Sequence, residues 1–394
     1  MKKVFLSACT LLSLMKLQAQ QKDSAFVPRK LHIDEINLVS SYYHQDGNNS
    51  AVTGGIGTEK LTDIANVLDI KLFRYDRKGR KNNFGLEMGI DHYTSASSDK
   101  IDLKANSSAS SADTRFYPSV NWSRENETKG STFGGGLSFS NEFDYQSIGV
   151  NVLYAQKTRN RNGEFTARLQ AYLDKVKMIA PYELRSPSNE DVEDEGWKNR
   201  NSYSGSFSWT QVINRNLQVA VLADVVQQNG YLGLPFHRVY FTDGSVHQEN
   251  LPDSRFKIPV GLRANYFLGD RFIFRAYYRY YSDNWGLSAH TADLEVPVKI
   301  SPFLSISPFY RFYSQHAVKY FAPYGGHTGK DEYYTSNYDL STFNSNFLGA
   351  GIRWAPVNGV FGWQHFHMIE LRYGHYDRTN GLNSNIVSLH LQYK

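Results

Sequence analysis

The chain has 394 residues, 14% of them aromatic and 21% charged, with a formal net charge of +5 and a mean hydropathy of −0.50. After residue 19 no apolar run approaches the roughly 18 to 20 residues that a membrane-spanning helix needs, which excludes a helical membrane protein. Low mean hydropathy leaves a membrane β-barrel open, because residues facing a wet interior cancel those facing lipid.

Residues 1–19 read as a cleaved secretory signal. Lys2 and Lys3 supply the basic start, Val4 to Met15 the apolar core and Leu17-Gln18-Ala19 the small-residue cleavage site. Leu6-Ser7-Ala8-Cys9 has the form of a lipoprotein box, but too little apolar sequence precedes the cysteine. Cleavage removes Cys9, the only cysteine, and with it any disulfide, thiol chemistry or cysteine metal site. Loss of Lys2, Lys3 and Lys16 leaves 40 basic against 38 acidic residues, a balance that does not suit a nucleic-acid partner. Residues 20–34 form a polar periplasmic lead, and the barrel is expected over 35–394.

From Glu35 onward about sixteen segments of alternating polarity recur, each about 10 to 14 residues long, the span of a tilted outer-membrane strand. They lie near 35–45, 63–74, 84–97, 113–125, 132–144, 147–158, 164–178, 201–213, 217–230, 255–268, 271–283, 287–300, 303–317, 339–355, 363–377 and 384–394. The hairpin Arg255 to Tyr281 shows the pattern most clearly. Phe256, Ile258, Val260, Leu262, Ala264 and Tyr266 alternate with Lys257, Gly261, Arg263 and Asn265. Beyond Gly269-Asp270, the row Phe272, Phe274, Ala276, Tyr278, Tyr280 alternates with Arg271, Ile273, Arg275, Tyr277, Arg279. Strand side chains leave on opposite faces, so each arm carries one oily row and one polar, mostly basic row.

The connections sort by length. Short turns fall at 76–79, 126–130, 161–163, 214–216, 269–270, 301–302 and 356–362. Long connections alternate with them at 46–62, 98–112, 179–200, 231–254 and 318–338, while those near 145, 285 and 380 are short. Outer-membrane barrels have short periplasmic turns and longer outer loops, so the expected fold is an all-β, antiparallel, up-and-down transmembrane barrel. Aromatic placement agrees. Phe84, Phe133, Phe165 and Phe272 open ascending strands and Trp122, Trp209 and Trp354 close descending ones, all on the oily row at the periplasmic rim, where amphipathic rings prefer headgroups. The last strand's Val387, Leu389, Leu391, Tyr393 resembles the C-terminal signal of outer-membrane proteins, which implies handling by the barrel-assembly machinery; here Lys394 follows the aromatic.

Several constellations bear on function. An unstaggered pairing sets Arg263, Arg275 and Glu295 in one row and Arg279, Thr291 and Arg311 in the next, with Asp293 between them. Glu87, Asp91 and Glu142 lie about half a circumference away. A basic wall facing an acidic one gives a transverse field that orients dipolar solutes, although any wet lumen collects mixed charge. The first outer loop carries Asp46, Asn48, Asn49, Gly54, Gly55 and Glu59; its glycines allow tight paths and its oxygens suit a hard cation, but it lacks a calcium-loop spacing. A loop folded into the mouth is the alternative. The acidic run Asn189 to Glu195 suits cations or lipopolysaccharide bridged by them, or is simply solvated. Tyr320 to Tyr338 offers rings for a sugar or aromatic ligand, or is an ordinary aromatic surface loop. Ser388 and His390 share the inward face but lack an orienting third group. His365 and His367 fall at the outward periplasmic rim. No catalytic, cofactor or metal motif is expected.

The run Glu35-Ile36-Asn37, Ser41-Tyr42-Tyr43, Gln45 to Gly55 and Thr58-Glu59-Lys60-Leu61 resembles an uncharacterised, domain-of-unknown-function family of Gram-negative outer-membrane barrel proteins. The resemblance implies a signal peptide and an all-β body and supplies no activity. Members are often encoded beside a flavin-transferring enzyme and thioredoxin-like proteins, which implies a periplasmic redox partner. The expectation is a non-enzymatic porin-like channel for small polar or charged solutes. Its alternatives are a plugged envelope scaffold tied to that redox system and, more distantly, a lipid-modifying hydrolase.

Overall fold

A computed structural model describes residues 30–94, 112–184 and 196–394. The leader, most of the 98–112 connection and the acidic run 189–195 lie outside the described residues. The chain order is β1 (His32–Asp46), β2 (Leu61–Tyr75), β3 (Lys81–Thr94), β4 (Ala112–Asn126), β5 (Ser131–Asn141), β6 (Tyr145–Lys157), β7 (Gly163–Lys177), β8 (Trp197–Val212) and β9 (Leu217–Gly230). A small hairpin follows, β10 (Arg238–Tyr240) and β11 (Val246–Gln248), then β12 (Ser254–Leu268), β13 (Phe272–Asp283), β14 (Ser288–Glu295) and β15 (Val298–Lys299). The chain ends with β16 (Leu304–His316), β17 (Phe343–Trp354), β18 (Phe366–Arg378) and β19 (Asn383–Tyr393).

The sheet closes. Each strand of the wall pairs antiparallel with the next along the wall, β9 with β12 across the intervening hairpin, and β1 pairs with both β2 and β19. β10 and β11 form a separate sheet. β14 and β15 are halves of one stave, parted at Val296-Pro297 because proline has no N–H to donate to the ladder. Counting them as one gives a sixteen-stranded barrel. Strand β1 begins at His32, so the end of the polar lead is already part of the wall.

Period-two alternation decides which side each residue faces. Leu137, Leu169, Val221, Leu262, Ile352 and Leu371, on six different staves, are each at least half exposed on the outside. Soluble monomers rarely leave apolar patches beyond a few hundred Å² uncovered, whereas this apolar surface runs round the wall. Hydrocarbon is the solvent that suits it. The rim at the short turns carries the aromatic belt: Phe84 pairs with Trp122, Trp122 meets the Phe133 ring edge-on at 6.2 Å, and Phe165 pairs with Trp209. Lys394 does not disturb the last strand. Its N–H donates to His365 O at 2.9 Å while Tyr393 stacks on Phe366 at 4.7 Å. The buried apolar cluster, Trp285, Leu287, Ala289 and Val318, sits instead at the long-loop end.

Candidate functional site: the lumen wall and its cap

Register fixes the charges that line the interior, and it corrects the unstaggered rows. Residues 269–271 turn the chain so that Leu268 faces Phe272; Arg275 therefore lies opposite Asn265, and Arg263 sits one inward position nearer the long loops, opposite Tyr277. Arg275 does face Glu295, and Arg279 faces Thr291. Arg311 is not in the Arg279 row, because the turn after β15 sets Val298 against Ile306 and brings Arg311 directly opposite Asp293. Opposite charges across a strand pair attract, and these do. Arg311 Nε lies 2.9 Å from Asp293, Arg275 Nη1 3.5 Å from Glu295, and Arg372 Nη1 bridges Glu295 at 3.2 Å and Glu370 at 3.1 Å. Arg263 and Arg279 have no carboxylate within ion-pair distance among the described residues; Arg263 lies 5.8 Å from the Tyr277 ring centroid.

β13 and β16 stand eight staves from β3 and β5 respectively, half the circumference. Glu87 and Asp91 share the inward face of β3, and Glu142 follows the end of β5. Sequence reasoning missed that tyrosines hold this acidic side: the Tyr117 hydroxyl donates to Asp91 at 2.7 Å, Tyr145 to Asp174 at 2.6 Å, and Tyr93 to Glu142. Carboxylate oxygens of Asp113, Glu142 and Asp144 lie within 4.8 Å of one another, a hard-oxygen donor set. Burial, reinforced by Glu142 and Asp113, pushes the Asp144 carboxyl up to about 6.

The long loops meet above the lumen. The first outer loop joins β1 to β2 and the hairpin loop joins β9 to β12, eight staves apart, yet they touch. Arg238 of β10, only 3% exposed, donates from Nη1 to Val52 O at 2.8 Å and grips the Glu183 carboxylate from Nε and from Nη2, the latter at 2.9 Å. Contacts between loops on diametrically opposite staves must cross the mouth. The loop after β16 locks into the same cap, with Phe241 bridging to His327 and Asn250 to Tyr334. Beneath them Glu249 accepts from Leu234 N–H at 2.7 Å and from the Thr335 hydroxyl, with His237 Nδ1 at 3.5 Å. Burial opposes its charge, but His237, Thr335 and Leu234 hold its carboxyl below the ordinary value.

The first loop is thus a structural part of the cap. Gly54 and Gly55 have φ of 84° and 88°, and a Cβ on Gly54 would meet the Tyr240 ring at 2.5 Å, so glycine is required at this close approach. Asn49 Nδ2 donates to Asn380 O, Asp46 lies 3.8 Å from Lys60, Asn48 approaches Gly381, and burial raises the Glu59 carboxyl above its usual range. The rings of 320–338 pack on one another and on the hairpin: Tyr324 on Tyr240 at 4.5 Å, Tyr334 on Phe241 at 4.9 Å, Tyr333 on Tyr320 at 5.6 Å. His390 Nε2 lies 3.0 Å from Asn37 Oδ1, while Ser388 lines a lumenal recess of about 190 Å³ with Arg311 and Arg372; no hydrogen bond joins serine to histidine among the described residues. His365 and His367 are exposed at the short-turn rim.

No curated protein matches this chain. Solved structures similar to it include Pseudomonas aeruginosa OpdK with vanillate, at 6% identity and a TM-score of 0.43 over 91% of this chain and 97% of that one. P. aeruginosa OccD3 (OpdP) gives 9% identity and a TM-score of 0.44 over 95% and 97%, and a BenF-like porin from Pseudomonas fluorescens Pf-5 gives 8% and 0.43 over 91% and 98%. The family profile described as "Protein of unknown function (DUF3570)" matches residues 1–380, in keeping with the resemblance carried by Glu35 to Leu61, and the chain belongs to that family.

Proposed function

We propose that this outer-membrane barrel is a porin-like channel for small polar or charged solutes, with the loop cap as its gate. The observation that carries the reading is the exposure of Arg263, Arg275 and Arg311 on the inward face of a closed wall. Exposed guanidiniums inside a barrel require an interior that admits water, and carboxylates half a circumference away complete a cross-lumen field for dipolar solutes. In this reading the chain performs no chemistry. Lipid and lipopolysaccharide surround it.

A second reading is a plugged scaffold or binding barrel that serves a periplasmic redox partner of the flavin or thioredoxin-like kind. The cap favours it, because loops from opposite staves are knitted together by buried polar contacts. Purified protein in a planar bilayer separates the two. Steady ohmic steps that scale with salt support the channel; a silent bilayer with correctly folded, inserted protein supports the scaffold.

A further inference from the structure

Two arginines at the short-turn rim face the wrong way for a lumen. Arg74 of β2 and Arg124 of β4 both pair across to Asn82 of β3, and both share the outward face with Phe84 and Trp122. Two strand spacings, about 10 Å, separate their backbones. Each guanidinium lies beside a ring of the aromatic belt, Arg74 Cζ 5.8 Å from the Phe84 centroid and Arg124 Cζ 5.9 Å from that of Trp122. Asn82, 8% exposed, sits between them and accepts from Trp122 Nε1 at 3.3 Å, which fixes the indole under its arginine. Neither arginine has a carboxylate partner among the described residues. The nearby acids are engaged elsewhere: Asp76 by Arg80 at 2.7 Å and Glu125 by Lys157 at 3.0 Å. Arg77 and Lys78 extend the positive surface as exposed turn residues.

We infer that Arg74 and Arg124 form a clamp for the phosphate of an anionic glycerophospholipid in the periplasmic leaflet. Charge, depth and geometry converge on that ligand. Neither guanidinium makes a hydrogen bond among the described residues, and free guanidinium N–H edges match phosphate oxygens bidentately. The aromatic belt sets the pair at headgroup level, and the oily row of Leu72, Leu86 and Val120 continues from it along the wall, where acyl chains lie. Lipopolysaccharide belongs at the opposite, long-loop rim. The site rests on the lipid-facing reading of the outer wall and is independent of whether the lumen conducts.

The test uses the full-length barrel in nanodiscs of phosphatidylethanolamine with graded phosphatidylglycerol, with retained lipid counted by native mass spectrometry. The wild type is expected to retain phosphatidylglycerol, and the Arg74→Gln/Arg124→Gln variant to lose affinity by about tenfold or more, as two interfacial cations imply. Arg215→Gln, in a different turn, is the control expected to change nothing. Arg74→Lys/Arg124→Lys keeps the charge without the fork and is expected to fall between the two; it also serves if the glutamine pair fails to assemble. Equal retention of phosphatidylglycerol by wild type and both double variants overturns the site. Binding of inorganic phosphate as tight as that of the lipid also overturns it, since the acyl chains would then contribute nothing.

Discussion

Removal of one side chain should loosen the whole cap. Arg238 is 3% exposed, and its guanidinium holds both Glu183 and Val52 O, so it ties three segments together. Arg238→Ala takes the guanidinium away from the Glu183 carboxylate and from the Val52 carbonyl. Breaking a buried pair by deleting one partner costs about 3 to 5 kcal/mol. The Glu183 side chain is 24% exposed and regains some water, which lowers the figure to roughly 2 to 3 kcal/mol. Spent on a closed-to-open equilibrium of the loops, that is a shift of roughly 30- to 150-fold. Single-channel recording should show longer or more frequent open events in the variant, with limited proteolysis newly cutting within 231–253. Arg238→Lys, a point charge without the planar fork, should fall between. A folded variant with wild-type open probability and wild-type protease resistance would refute the idea that Arg238 holds the mouth closed.

Three further outcomes follow from the wall and the turns. Leu262→Arg, at the middle of the exposed row, should cost about 2 to 4 kcal/mol of stability in lipid vesicles by denaturant titration, whereas Arg263→Ala on the opposite face should stay within about 0.5 kcal/mol. Arg263→Glu/Arg279→Glu reverses two inward arginines that have no carboxylate within ion-pair distance among the described residues, so the reversal potential in a salt gradient should move toward cation selectivity; no movement would mean that ions do not pass this wall. For Asp144 the folded pKa, about 6, lies above the unfolded value of 3.8, so the folded state binds more protons between those limits and loses stability as pH rises through them. Asp144→Asn should therefore melt with the wild type near pH 4 and above it at pH 8, by an amount on the order of 1 to 3 kcal/mol. A variant that gains nothing at pH 8 contradicts the crowding of Asp113, Glu142 and Asp144.

The wall was legible because a strand exposed to lipid on one side and water on the other must alternate with period two. Phe256 to Tyr266 and Phe272 to Tyr280 state that rule openly, and the seven belt aromatics mark the rim. Register was less legible. A turn one residue longer than Gly269-Asp270 moves every partner on β12, which is why Arg263 faces Tyr277, and the separate turn after β15 is why Arg311 meets Asp293 head-on. The cap was not legible at all as a set of contacts, since Val52 and Arg238 lie 186 residues apart, one in a loop turn and the other on a three-residue strand too short to show a period. One signal was there to be taken: Thr242-Asp243-Gly244-Ser245 between short alternating runs is a hairpin turn, and β10 and β11 form it. The tyrosines that hold Asp91, Glu142 and Asp174 carried no signal of their own, because aromatic residues are ordinary in strands.

The central claim is that hydrocarbon touches the outer rows and water the inner ones. Nitroxide labels placed singly at each position from 256 to 266 in vesicle-reconstituted protein test it directly, with oxygen and a water-soluble nickel complex as paired relaxers. Collision with oxygen should peak at 258, 260, 262 and 264 and collision with nickel at 257, 261, 263 and 265, in a clean two-residue rhythm. Labels at the even positions shielded from both relaxers would instead mean that these side chains pack against protein, and the barrel would not stand in a membrane.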